Sequence, residues 1–232
     1  MDGKKTSSPL FYARFAGLLY LLIIVLGIFA EFFIRAKLIV SGDPVATAEN
    51  ILNFSTLFRM GFWADALMVI ADAALALFLY VLFEPVHKKL SMAAAGFRLI
   101  QAVILAFNLL NYYAAFLVQI VPYSMLPRPQ EQTNALTMLF LELHSHGYDL
   151  GLIFFGVSNL VLGHLVLKSG IPKLLGYGLA AAGIVYLFGS SVRFTLPELY
   201  SQIEAVYIIP LIAELAFCIW LLTGRKSSFV NM

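Results

Sequence analysis

The chain of 232 residues has few charged residues and a single cysteine. Aspartate, glutamate, lysine and arginine make up 12% of it, whereas a soluble domain carries about 25%. The net charge of +2 is too small to indicate a nucleic-acid partner. The one cysteine, Cys218, excludes an internal disulfide and lies in an apolar run, so we do not expect a reactive thiol.

The chain also lacks the short motifs that identify common enzyme classes. It contains no phosphate-binding glycine loop, nucleophile elbow, HExxH zinc motif or glycine-rich dinucleotide fingerprint. Enzymatic activity and any cofactor therefore stay undetermined at this level.

Hydrophobic residues, in contrast, make up 61% of the chain and are concentrated in six long stretches. A helix that crosses a bilayer needs about 20 apolar residues, and each stretch reaches this length. We therefore predict an all-α fold, a polytopic integral membrane bundle of six transmembrane helices that forms one domain over residues 1–232. The lipid bilayer is its predicted partner, and the oligomeric state is not predicted. The predicted spans are residues 11–34, 58–83, 91–120, 132–167, 173–192 and 204–223.

A short interfacial helix is predicted after the first span, at residues 45–54. Asp43 is suited to accept hydrogen bonds at its N-terminus, and Pro44 to occupy the first helical position. The segment is amphipathic, which favours a place on the membrane surface.

Six spans place both termini on the same side of the membrane. Lysine and arginine number ten on that side and five on the other. Because cytoplasmic loops carry the excess of these residues, we predict cytoplasmic termini in the cell inner membrane. The first span exceeds the length of a signal-peptide core and is predicted to be retained.

Ionisable residues inside the spans carry most of the functional information, because an unpaired charge is costly in lipid. Asp65 and Asp72 lie seven residues apart, on one face of the second span. Asp72 and Arg98 come from neighbouring spans joined by a short turn, and we predict that they form a buried structural ion pair. Glu214 lies near the middle of the last span.

Further ionisable residues are expected at one depth, below the non-cytoplasmic surface. Carboxylates there must face a wet cavity, take up a proton or bind a cation. We predict a ligand-binding pocket in this outer half of the bundle, for a small apolar or cationic ligand. Its predicted residues are Glu31, Asp65, Glu142, His144, Asp149 and Arg193.

The same region allows two other interpretations. Glu142, His144 and His146 offer the nitrogen and oxygen ligands that zinc accepts, although histidine and glutamate are also common where helices enter the membrane. Alternatively, these residues form a hydrogen-bonded polar network without a ligand. Glycines 147, 151, 156 and 163 of the fourth span predict close helix packing rather than ligand binding.

Four segments of the chain carry a resemblance to a known membrane-protein family. They are ARFAGLLY at 13–20, AEFF at 30–33, LH at 143–144 with GYDLGLIFFG at 147–156, and LGH at 162–164 followed by SGIPKLLG at 169–176. Together they resemble the bacterial family catalogued as domain of unknown function 4386. The resemblance implies a bacterial polytopic membrane protein and brings no catalytic residues. It also favours His144 over His146 and His164, where the family often has tyrosine.

Three functions fit these observations. The first is a small-molecule, proton or ion-binding protein, a transporter or sensor, because acids and histidines in series suit proton relays. The second is a structural or accessory protein whose buried polar pairs set helix register. The third is an intramembrane enzyme, metal-dependent in one version, that acts on an apolar substrate.

Overall fold

The computed structural model describes residues 9–122, 124–125 and 127–224. These residues form helices and turns, with no strand among them. Five of the helices are long and apolar enough to cross a membrane, judged by length and composition. The predicted all-helical bundle of membrane type is therefore confirmed.

The helices are numbered along the chain, and two of them change geometry on the way. α1 continues directly into a π-helical segment and a last α-helical turn, and a 3₁₀ segment precedes the final helix. The elements are α1 (Pro9–Ile28), the π segment (Phe29–Arg35) with its last turn (Ala36–Leu38), α2 (Pro44–Asn53), α3 (Ser55–Ile120), α4 (Gln130–Lys168), α5 (Lys173–Thr195), α6 (Pro197–Ile203), the 3₁₀ segment (Glu204–Tyr207) and α7 (Ile208–Thr223).

α3 bends back on itself at His87, whose backbone is non-helical with φ −164° and ψ 97°. Its two arms, residues 55–86 and 88–120, contain the segments that the sequence predicts as the second and third spans. Three contacts join them, and the two residue numbers of each pair add up to nearly the same value, so the arms run antiparallel. The contacts are Ser91 Oγ to the Tyr80 carbonyl (2.8 Å), Arg98 Nε to Asp72 Oδ1 (2.7 Å) and Tyr112 Oη to the Phe58 carbonyl (3.2 Å).

α2 begins at the predicted cap. Asp43 Oδ1 accepts hydrogen bonds from the backbone N–H groups of Val45 and Ala46, at 3.1 and 2.9 Å. The residue before it, Gly42, has a φ of +76°, which glycine adopts without the strain of a Cβ atom. The N-cap prediction is thus confirmed, whereas the position of α2 on a membrane surface stays a prediction.

α4 and α5 pack through glycines that bring their backbones into contact. A Cβ atom on Gly163 would lie 2.7 Å from the Gly176 carbonyl oxygen, and one on Gly183 would lie 2.6 Å from that of Gly156. A Cβ atom on Gly147 would likewise clash with the side chain of Asn108 on α3, so the glycine leaves room for that side chain. The prediction that these glycines serve close packing is confirmed.

Two clusters of buried apolar side chains occupy opposite ends of the bundle. The first lies near the α3 bend and includes Phe83 and Phe217. The second lies at the other end and includes Phe58 and Phe116. On α3, buried polar residues are concentrated between the two clusters, and other helices contribute more. The polar residues that concern the site are Asp65, Asp72, Arg98, Gln101, Asn108, His144, Asp149, Asn159 and Glu214.

The orientation in the membrane stays a prediction. Four of the basic residues that enter the charge count lie outside the described residues: Lys4, Lys5, Arg225 and Lys226.

Candidate functional site

Arg98 and Asp72 form an ion pair in the middle of the bundle. Arg98 is only 1% exposed. Its Nε donates to Asp72 Oδ1 at 2.7 Å, and its Nη2 lies 2.5 Å from the same oxygen. The side-chain amide of Gln101 lies 2.5 Å from the other carboxylate oxygen, Oδ2, a contact that the amide nitrogen makes. Asp72 therefore has a partner at each oxygen.

Two aromatic rings complete the surroundings of the Arg98 guanidinium. Its Cζ lies 4.7 Å from the ring centroid of Phe155 on α4 and 5.1 Å from that of Tyr20 on α1. A cation over an aromatic ring gains about 2 kcal/mol where water is excluded. The charge of Arg98 is thus compensated by one carboxylate and two rings, contributed by three helices.

Glu214 on α7 is the second carboxylate of this region, and it is 8% exposed. Asn159 Nδ2 on α4 donates to its Oε1 at 3.0 Å. In the described part of the chain it has no ion-pair partner, although Arg98 acts on it at longer range. The hydroxyl of Tyr186 on α5 also hydrogen-bonds to the Glu214 carboxylate. Glu214 is therefore held by two neutral groups, unlike Asp72.

A cavity of about 230 Å³ lies between α1, both arms of α3, α4, α5 and α7. This volume exceeds the cavity of about 150 Å³ that takes up benzene and lies below the range of drug-sized pockets, about 300–1,000 Å³. It therefore matches a small molecule. Its polar lining comprises Asp72, Gln101, Tyr148, Tyr186, Tyr207 and Glu214, and most of the remaining lining is aliphatic.

Aromatic side chains form one wall of the cavity. The ring centroids of Phe155 and Tyr186 lie 5.2 Å apart, with the planes tilted by 55°. Those of Tyr186 and Tyr207 lie 6.0 Å apart at 61°. Rings in such tilted or edge-to-face arrangements stabilise one another, and they present a continuous aromatic surface.

The two departures from α-helical geometry lie at the edge of this cavity. The π segment begins directly after Ile28, and the 3₁₀ segment ends at Tyr207; both residues line the cavity. Pro210 explains the 3₁₀ segment, because proline offers no N–H to the Val206 carbonyl and its ring crowds that group. Such segments within helices frequently mark functional sites or hinges.

The predicted outer residues Glu31 and Asp65 converge on Arg35. Arg35 Nη1 donates to Asp65 Oδ2 at 2.7 Å, and its Nε donates to Glu31 Oε2 at 2.7 Å. Asp65 is buried and Glu31 is exposed. Arg35 directly follows the predicted first span and is not among the predicted site residues, although its spacing of four residues from Glu31 favours an ion pair between the two.

Three other predicted residues, Glu142, Asp149 and Arg193, meet at a second arginine-centred group. Arg193 Nη2 donates to Ser145 Oγ at 2.8 Å and lies 3.6 Å from Glu142 Oε2. Its Nε lies 3.6 Å from Asp149 Oδ2. Tyr200 stacks below the guanidinium, with 4.7 Å between Cζ and the ring centroid.

His144 contacts none of the predicted carboxylates directly. Its Nδ1 donates to the Asn108 carbonyl at 3.3 Å, and Asn108 Nδ2 donates to the His144 carbonyl at 2.7 Å. Its ring centroid lies 5.2 Å from that of Tyr112. This reciprocal pair joins α4 to the second arm of α3. The six predicted residues are therefore divided between two arginines, with His144 in a third position.

The candidate metal ligands are also separated. His146 Nδ1 bonds to the backbone carbonyl of Glu142 at 2.9 Å and lies 3.9 Å from its carboxylate, while His144 turns to α3. Within the described ranges, no three His, Cys, Asp or Glu side chains are grouped closely enough to hold a metal ion.

The long apolar helices and the cavity between them define a helical multi-pass membrane protein with a polar centre. The chain belongs to the family described as "Domain of unknown function (DUF4386)", which matches residues 15–224. The predicted family is thus confirmed. An uncharacterized protein of Archaeoglobus fulgidus is 32% identical over 168 residues, which cover 71% of this chain and 83% of that protein. No solved structure matches the chain.

Proposed function

We propose that the protein binds a small molecule in the central cavity and acts as a membrane transporter or sensor. The observation that carries this proposal is the cavity of about 230 Å³ with Asp72 and Glu214 in its wall. Carboxylates inside a membrane bundle usually face a partner or a water-filled space and mark a pathway or a binding site. A purely structural polar pair does not require unfilled space beside it.

The irregular helix segments at the cavity support the same function. In many transporters, the binding site lies near the bilayer midplane, where helices are interrupted. Here the π segment begins directly after Ile28 and the 3₁₀ segment ends at Tyr207, and Ile28 and Tyr207 both line the cavity. Helix interruptions at the cavity therefore favour binding over a static scaffold.

We further propose that the predicted outer residues form the entrance to this cavity. Asp65 lies three residues before Met68, which lines the cavity, and it is held by Arg35 at 2.7 Å. If the arms of α3 are separate spans, the chain crosses the membrane six times. With both termini cytoplasmic, the Arg35–Asp65 pair then lies on the non-cytoplasmic side.

One observation favours a structural role as a second candidate. The Asp72–Arg98 pair is compensated within the protein, and it links the two arms of α3. A protein whose cavity stays closed to solutes would have this role alone.

Thiol labelling distinguishes the two candidates. In a Cys218→Ala background, cysteine is placed at Met68, in the cavity, or at Leu75, two turns along the same helix but fully buried in the first apolar cluster. Because the thiolate is the reactive form, reaction with neutral N-ethylmaleimide reports contact with water. We expect Met68→Cys to react and Leu75→Cys to stay unlabelled in proteoliposomes. Equal protection of both positions would leave only the structural role.

A further inference from the structure

We infer that the cavity takes a small monovalent organic cation, with Glu214 as its counter-ion. This inference rests on the binding function proposed above. It concerns the charge and shape of the ligand, which the cavity wall determines.

The charges around the cavity are not balanced by direct contacts. Its lining contains two carboxylates, Asp72 and Glu214, and no lysine, arginine or histidine. Asp72 is paired with Arg98, which is not part of the lining and whose Nη2 and Nε lie 2.5 and 2.7 Å from Asp72 Oδ1. Glu214 has two neutral partners, the amide of Asn159 at 3.0 Å and the hydroxyl of Tyr186, and it shares the longer-range field of Arg98 with Asp72. Two carboxylates and one guanidinium leave a place for one positive charge.

The aromatic wall favours an organic cation. Tyr186 and Tyr207 present adjoining rings, and Tyr148 contributes a third ring to the lining. One ring of the same wall, Phe155, already holds the Arg98 guanidinium at 4.7 Å. Aromatic faces attract ammonium groups in this way, and such cages recognise quaternary ammonium ligands.

The same wall disfavours a bare metal cation. Calcium takes six to eight oxygen ligands and magnesium an octahedral set. The structure offers no group of three His, Cys, Asp or Glu side chains in the residues that it describes. A cavity of about 230 Å³ also leaves most of its space for an apolar body around the charge.

Choline and its uncharged carbon isostere, 3,3-dimethyl-1-butanol, test the inference because they share shape and hydroxyl group but differ in charge. Binding is measured by isothermal titration calorimetry on the full chain in lipid nanodiscs. We expect choline to bind at least about tenfold more tightly than the isostere, a difference of about 1.4 kcal/mol. Similar affinities for the two compounds, or no choline binding at millimolar concentration, would overturn the inference.

Glu214→Gln supplies the matched loss of charge, and Glu204→Gln on the exposed 3₁₀ segment is its control. We expect the first variant to lose choline binding and the second to keep it. The thermal unfolding temperature of Glu214→Gln should be no lower than that of the parent protein, because an amide costs less free energy to bury than a carboxylate. Retained choline binding in a folded Glu214→Gln variant would contradict the assignment.

A second pair of variants tests a ring of the lining other than Tyr186, whose hydroxyl bonds to Glu214. Tyr148→Leu should weaken choline binding several-fold, whereas Tyr148→Phe should preserve it. If the isostere binds as tightly as choline and Glu214→Gln changes neither affinity, the cation class fails while the binding function stands. An unreactive Met68→Cys would instead overturn the binding function itself.

Discussion

Arg98 and Arg193 both contact acidic side chains of neighbouring helices, but they do so in different surroundings. Arg98 is 1% exposed and approaches one oxygen of Asp72 at 2.5 and 2.7 Å. The side chain of Arg193 is 18% exposed and lies 3.6 Å from both Glu142 and Asp149. The first arrangement is short, buried and directed at one partner. The second is longer, partly exposed and shared between two partners.

Residue type alone therefore does not determine what an ion pair contributes to the free energy of unfolding. In a buried site, removing one partner leaves the other charge uncompensated, whereas water can replace a partner in an exposed site. Arg35 stands between the two, with a side chain that is 13% exposed and bonds of 2.7 Å to Asp65 and Glu31. Replacing each arginine by methionine therefore measures how stability depends on burial.

The largest effect is expected for Arg98→Met, which leaves Asp72 and Glu214 buried without a cation. We expect a loss of roughly 3–5 kcal/mol in the free energy of unfolding, measured by denaturant titration in detergent micelles. The double variant Arg98→Met with Asp72→Asn should recover much of this loss. A single variant that costs less than about 1 kcal/mol would place Arg98 among exposed pairs.

An intermediate effect is expected for Arg35→Met. Asp65 is buried, its Oδ2 is bound by Arg35, and its Oδ1 has no hydrogen-bond partner among the described residues. Loss of a charged hydrogen bond costs about 1.5–3 kcal/mol, and the same unfolding titration measures it. Adding Asp65→Asn should restore stability, because the amide carries no charge. No restoration would show that Arg35 stabilises the π segment by other contacts.

The smallest effect is expected for Arg193→Met. Its contacts with Glu142 and Asp149 are long, at 3.6 Å, and Glu142 is exposed although Asp149 is buried. The loss should therefore lie near the upper end of the range for exposed pairs, about 1 kcal/mol, and diminish at high salt. Unfolding titrations at low and high salt provide the measurement. If Arg193→Met destabilised the protein as much as Arg98→Met, burial would not explain the difference between the two regions.

Features that depend on local pattern were predictable from the sequence. Apolar length identified the helices, and the short turn predicted between residues 83 and 91 separated the two arms of α3. Asp43 and Pro44 identified the start of α2, while Gly156 and Gly163 indicated close packing. Each of these signals lies within a few residues of the feature that it specifies.

The centre of the site was less predictable, for two physical reasons. Arg35 and Asp65 lie 30 residues apart in the sequence, so no local pattern connects them. The spacing of four residues between Glu31 and Arg35 already supplies Arg35 with a partner nearby in the chain. No residue type indicates a cavity, because a cavity is a volume that the side chains leave unfilled. Tyr186 and Tyr207 occupy apolar helices and gave no signal of their own. Glu214 was noted as an acid near the middle of the last span, but sequence did not indicate what faces it.

The glycine contacts between α4 and α5 have a mechanical consequence. Because the two backbones touch at Gly163 and Gly176, and again at Gly156 and Gly183, sliding or tilting one helix requires moving the other. α4 and α5 therefore form a rigid side of the cavity. We therefore expect any widening of the cavity to involve α1 and the chain leading into α7, where regular α-helical geometry is interrupted.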